Sequence, residues 1–215
     1  MTKAKTKAKT KKNKSEPWNK GCKVGKRDPF KLGEVKRIRK MLTKRGTTGI
    51  RDLALFNTAL DTMLRSPDLL GLRVKDVRKR NRIMRDTIDI SIRGRVMQCT
   101  LSESTKDALE RWIDYDSKKP NEYLFTGRVR GRTLPVRPRT LNRQIKSWAE
   151  AIGLKDGSYG IETLRRTRAL HILKHTGNME AVRVLLGLAN IGTAARYLYD
   201  TNPVDAIGIS RVYEI

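Results

Sequence analysis

The segment YGIETLRRTRALHIL begins at Tyr159 and places three arginines, Arg165, Arg166 and Arg168, within one turn of a helix-like run. Guanidinium groups are planar, always charged and able to grip two phosphate oxygens at once. The chemistry this points to is recognition of, or transfer at, a phosphate. Glu162 stands three residues before Arg165, on the same helical face. A carboxylate there repels an anionic ligand unless an arginine neutralises it, and it could also act as a general base.

The bulk composition agrees with a polyanionic partner. The 215 residues hold 48 Lys and Arg against 22 Asp and Glu, a net charge of +26. A balance this basic argues for nucleic acid ahead of an anionic membrane or an acidic protein. The two cysteines, Cys22 and Cys99, form no close pair and no metal-like cluster with His171 and His175. Neither a disulfide framework nor a zinc site is expected, and a reducing compartment fits. No apolar run is long enough to span a membrane, and the basic N-terminus lacks the apolar stretch of a signal peptide. The expected location is cytoplasmic and nucleoid-associated, with no membrane partner and no small-molecule substrate.

Residues 1–30 read as a disordered basic arm. They hold eleven Lys and Arg, Lys11 and Lys12 among them, against Glu16 and Asp28. So few apolar side chains cannot offset the entropy of ordering, although such an arm could order on DNA. From residue 31 to 215 the pattern is that of one domain, mainly α with a small antiparallel β-sheet (α+β). Leu32, Val35, Ile38 and Leu42 recur at helical spacing before Gly46. A more apolar helix follows in TTGIRDLALFNTALDTMLR, and a short one opens with Ser66 as cap and Pro67 in its first turn. DTIDISI and VMQCTLS alternate around Gly94, which predicts a hairpin. Helices are expected again at about 103–118 with Ser102 as cap, and at about 138–152, 161–176, 178–188 and 193–199. A last one after Pro203 would carry Val204, Ile207 and Val212 on one stripe.

Three stretches in this frame belong together. They are LRSPDLLGLRVKDV, ETLRRTRALHILKHTG and VLLGLANIGTAARYLY. Their order and spacing, with a hairpin between the first and second, resemble the catalytic domain of the tyrosine recombinases, or phage integrases. The resemblance covers about residues 33–210. It puts Arg65, Asp68 and Asp76 in the first box, and Arg165, Thr167 and His171 in the second. Leu185, Leu186, Gly187, Thr193 and Tyr197 fall in the third. The resemblance implies that Tyr197 attacks a DNA phosphodiester to form a 3′-phosphotyrosine link while Arg65 and Arg165 hold the phosphoryl oxygens. No metal, nucleotide or other cofactor is implied, because the bond energy stays in the covalent link. Double-stranded DNA is the implied partner, bound by a homo-oligomer. Arg166, Arg168, Arg95, Lys11 and Lys12 are the expected backbone contacts.

Three positions depart from the family pattern. Glu162 stands where a histidine is usual, Leu188 where another follows the Leu-Leu-Gly, and Arg93 or Arg95 where the hairpin offers a lysine. An arginine gives up a proton poorly, so Arg93 would stabilise a leaving oxygen by charge alone. His171 and His175 fall at positions that support packing. Two functions therefore compete: a site-specific recombinase, and a catalytically impaired DNA-binding regulator or accessory subunit on the same scaffold. Only the arm precedes the catalytic domain here, as in the short, single-domain members.

Overall fold

The structure is a computed structural model that describes residues 27–92, 95–127, 134–154 and 158–199. Its elements in chain order are α1 (Leu32–Lys44), α2 (Thr47–Thr62), α3 (Ser66–Gly71), α4 (Val74–Val77), β1 (Thr87–Ile92), β2 (Arg95–Thr100), α5 (Glu103–Tyr115), α6 (Pro138–Ala151), α7 (Ile161–Thr176), α8 (Met179–Leu185) and α9 (Ile191–Leu198). The mainly helical class with one two-stranded antiparallel sheet is as the sequence implies. The expected helix after Pro203 lies outside the described residues. Among the described residues, no helix is long and apolar enough to cross a membrane.

The axis of the domain is α2, buried along most of its length from Arg51 to Leu60. Its apolar side chains join those of α1, α5 and α6 in one core. Phe56 meets Trp148 of α6 edge to face at 5.8 Å. The polar residues of α2 are satisfied internally, as burial requires. Thr58 and Thr62 donate back to the carbonyls of Ala54 and Thr58 at 2.7 Å each. Arg51 pairs with Asp52 at 2.8 Å.

A second, smaller apolar cluster lies at the far end of α2. Met63, Ala169, Val182, Leu186 and Leu198 form it, and Tyr197 and Leu188 pack against it. Thus α7 bridges the two clusters: Ile161 and Leu164 enter the large core, and Ala169 enters the small one. Gly177, left-handed at φ 64°, ends α7 and lets the chain turn into α8.

Three boundary expectations change. Ser66 is the first helical residue of α3 and not its cap, a place that Arg65 takes with extended backbone. Ser102 does precede α5, but its hydroxyl donates to Asp61 at 2.7 Å. That same carboxylate oxygen also accepts the Ser102 amide at 2.8 Å and the Thr105 hydroxyl at 2.6 Å. A side chain from α2 therefore gathers the start of α5 in place of a local cap. Finally, the basic arm does not extend to residue 30. Phe30 is buried, stacks on Tyr159 at 5.2 Å, and its amide donates to Thr167 at 2.8 Å. Arg27 donates to the Tyr159 carbonyl. Residues 1–26, with Lys11 and Lys12, lie outside the described residues.

Candidate active site

Arg165 is the centre of the site and is 4% exposed. Nε donates to the Met63 carbonyl at 2.7 Å, and Nη1 to both oxygens of Glu162 at 2.9 and 3.0 Å. Nη2 approaches the Leu186 carbonyl at 3.5 Å. Met63 holds left-handed backbone at φ 50°, an uncommon state for a side chain of this kind, at the point where α2 ends. Three separate segments thus fix one guanidinium: the end of α2, the first turn of α7 and the Leu-Leu-Gly corner after α8.

Tyr197 reaches the same cluster from α9. Its hydroxyl donates to Glu162 Oε2 at 2.7 Å, and its ring lies with its centroid 5.7 Å from the Arg165 guanidinium carbon. Burial is the main reason that the phenol is held well above its ordinary pKa. The Arg165 charge pulls in the opposite direction, and the charge and hydrogen bond of Glu162 add to the rise. The hydroxyl is therefore a proton donor already aimed at a carboxylate.

Arg65 precedes α3 and lines a small pocket with Met63, Met97, Arg165, Leu186 and Gly187. Among the described residues its guanidinium forms no hydrogen bond or ion pair. The folded chain thus brings Arg65, Arg165, Glu162 and Tyr197 into one neighbourhood although 132 positions separate the first from the last. Gly187 closes the corner with left-handed backbone at φ 64°, and an added Cβ would stand 3.2 Å from the Met97 sulfur.

Other expected site residues fall elsewhere. Arg166 is a correction: it is 6% exposed and is not a surface contact for DNA. Its Nη1 donates to the Arg27 carbonyl at 2.6 Å and its Nη2 to the Leu198 carbonyl at 2.7 Å. One helical residue step, about 100° around the axis, turns it away from Arg165. Arg168 is half-buried, close to Arg39 and His171, and does not line the Arg65–Arg165 pocket. Arg95 opens β2 opposite Ile92, and Arg93 lies outside the described residues. Leu188 packs on the small apolar cluster, so the position brings no donor to the site. The rings of His171 and His175 lie 4.3 Å apart on α7, tilted by 43°, and line no part of the Arg65–Arg165 pocket. The carbonyls of Met63 and Leu186 were not readable as site groups, since a backbone oxygen leaves no trace in residue type.

A helical domain with one hairpin, with arginines of its first two boxes at one pocket and the tyrosine of its third box against the second of them, has the architecture of a tyrosine recombinase catalytic domain. Solved structures agree on the fold. XerA recombinase aligns with a TM-score of 0.68 at 20% identity, over 87% of this chain and 66% of its own. XerH site-specific recombinase, in a pre-cleavage complex with its difH substrate, aligns with a TM-score of 0.67 at 19% identity, over 87% of this chain and 55% of its own. The phage integrase family model matches residues 30–202, and the chain belongs to that family. A tyrosine recombinase of Pseudothermotoga lettingae is 30% identical over 159 residues, 73% of this chain and 53% of that protein. A probable integrase/recombinase of Bacillus subtilis, YoeC, is 28% identical over 148 residues, 69% of this chain and 77% of that protein. The chain spans little more than half the length of the tyrosine recombinases it first matches.

Proposed function

We propose that this protein cleaves and rejoins double-stranded DNA at specific sites through a covalent 3′-phosphotyrosine link to Tyr197. The observation that carries the reading is the relay from the Tyr197 hydroxyl through Glu162 to Arg165, beside the uncommitted Arg65. In this reaction the Tyr197 oxygen bonds to phosphorus as its proton passes to Glu162. The bond to the 5′-oxygen breaks, and that oxygen takes a proton from solvent. Arg65 and Arg165 meet the charge that builds on the non-bridging oxygens. Strand joining runs the same path in reverse: a 5′-hydroxyl attacks the link, and Glu162 returns the proton to Tyr197.

Glu162 fits this role because the phenol cannot ionise unaided in a buried site near neutral pH. The carboxylate does the work that the family gives to a histidine. It also occupies Arg165, so DNA must draw the guanidinium part-way from Glu162 as phosphate enters. A DNA-binding regulator without catalysis is the competing reading, and it rests on that occupancy. Binding to DNA as a homo-oligomer, charge stabilisation of the leaving oxygen by Arg93, backbone contact by Arg95, Lys11 and Lys12, and association with the nucleoid belong to the same proposal.

The test is a covalent-adduct assay on nicked duplexes, resolved on denaturing gels. Wild-type protein is expected to form an adduct that Tyr197→Phe lacks while both bind DNA equally. Tight binding to a proven site without any adduct would favour the regulator.

A further inference from the structure

A second charged concavity, of about 590 Å³, shares no lining residue with the pocket of Arg65 and Arg165. Met97, which lines the Arg65–Arg165 pocket, pairs with Ile90. The concavity is formed by the chain before β1, beyond Thr87, together with the chain after α5. Three residues from Ile90 to Thr87 already span about 10 Å of strand.

Seven of its ten lining residues are Lys or Arg. Two of them have carboxylate partners at the rim: Arg78 meets Asp114 at 2.7 Å, and the buried Lys118 meets Asp116 at 2.9 Å. Lys75, Lys79, Arg80, Arg82 and Lys119 are exposed and form no ion pair among the described residues. Elsewhere on the surface exposed carboxylates do take up nearby cations, as with Lys106 between Asp86 and Glu103, or Arg183 on Glu180. Convergence of five unpaired cations on one hollow raises the local potential and favours a polyanion.

The backbone holds that convergence in place. Lys75 donates to the Pro120 carbonyl at 2.9 Å and Val74 to Glu122 at 3.1 Å, which clamps the two segments together. A tight turn closes with Lys79 donating to Ile83 at 2.8 Å and Arg82 donating to Lys79 at 3.0 Å. Arg82 holds left-handed backbone at φ 66°, where glycine or asparagine would be less strained. Strain kept at an arginine on a charged rim fits a binding role better than a connecting one.

We propose that this hollow is a second, sequence-independent site for the phosphate backbone of duplex DNA, separate from the Tyr197 site. It rests on the recombinase reading only in taking DNA as the polyanion. The phosphates come either from the flank of the duplex held at the Tyr197 site or from another duplex, and strand exchange needs two duplexes close together.

The experiment uses the full chain, a Lys79→Ala/Arg80→Ala/Arg82→Ala variant, and a charge-matched Lys36→Ala/Lys40→Ala/Lys44→Ala control on the exposed face of α1. Circular dichroism verifies that each variant folds. Binding to short and long duplexes of arbitrary sequence is titrated against salt, and capture of a labelled second duplex by a preformed complex is measured. The first variant is expected to flatten the log–log salt slope by about two to three units and to weaken binding by about tenfold, the control much less. Loss confined to the long duplex assigns the hollow to the flank, and loss of second-duplex capture assigns it to another DNA. Equal losses in variant and control, or no loss in either, overturn the proposal. The Tyr197 adduct is scored in parallel: a missing adduct with these losses intact removes only the catalytic reading, and an intact adduct without them removes only the second site.

Discussion

Arg165 and Arg166 are neighbours on α7 and almost equally buried, yet they point about 100° apart around the helix axis and meet different partners. Arg166 is bonded through both terminal nitrogens to main-chain carbonyls of Arg27 and Leu198. It ties Arg27 and the end of α9 to one helix, and among the described residues no carboxylate pairs with it. Arg165 also spends a donor on a carbonyl, but its remaining face meets Glu162 and the ring of Tyr197. Burial and charge therefore do not mark a functional arginine. What sets Arg165 apart is the company of an acid and the proposed nucleophile, with a pocket beside it. A guanidinium whose two terminal nitrogens are both spent on carbonyl oxygens is a structural tie.

Four experiments test that contrast. Tyr197→Phe is expected to have the largest effect, eliminating the covalent adduct altogether while duplex binding and thermal stability stay near wild type. An adduct that persists would move the nucleophile to another residue, Tyr199 first. Glu162→Gln comes next. Loss of a positioned general base lowers the rate of adduct formation by roughly 10²–10⁴-fold. Because the phenol is held above its ordinary pKa, the variant's rate is expected to recover as pH rises, whereas the wild type varies less. A flat, equally slow profile would make Glu162 a positioning group for Arg165.

One position along α7, Arg166→Ala is expected to cost about 2–4 kcal/mol of stability, since two buried carbonyls lose charged donors. Denaturant melts measure this. DNA cleavage per folded molecule should be unchanged, and a selective loss of cleavage would erase the distinction drawn between the two arginines. The smallest effect concerns Cys99, which lies beneath the end of α2 with its thiol 3.6 Å from the Thr62 carbonyl. Burial, and to a lesser degree the Asp89 charge, pushes the thiol up to about 11. The unfolded chain then loses its proton first, so stability falls as pH climbs from the ordinary thiol value toward about 11. The expected loss is about 1–2 kcal/mol, read as a drop in urea midpoint that Cys99→Ala removes.

Much of this architecture was legible in the chain. The helical periods of α1, α5 and α6 and the alternation of the hairpin follow from where apolar residues recur, and burial on one face enforces that pattern. Three boxes in order pointed to Arg65, Arg165 and Tyr197, because each box couples a local element to one polar residue. Less legible was anything that depends on a distant partner. The start of α5 is held by Asp61, and the arm's last residues dock on Tyr159 and Thr167, neither of which a local capping rule anticipates. Arg166 was misplaced for the same reason: a run of arginines gives their charge but not which way each points.

Residue type and spacing carried the class of fold and the basic character, and pointed to the groups proposed to do phosphate chemistry. Tertiary structure decided that Glu162 bridges Arg165 and the Tyr197 hydroxyl. An acid that repels phosphate when read along the helix becomes a hydrogen-bond acceptor for the Tyr197 hydroxyl once α9 folds back over α7. The physical reason is distance: hydrogen bonds act only over a few ångströms, and those contacts join residues that the sequence leaves 35 positions apart.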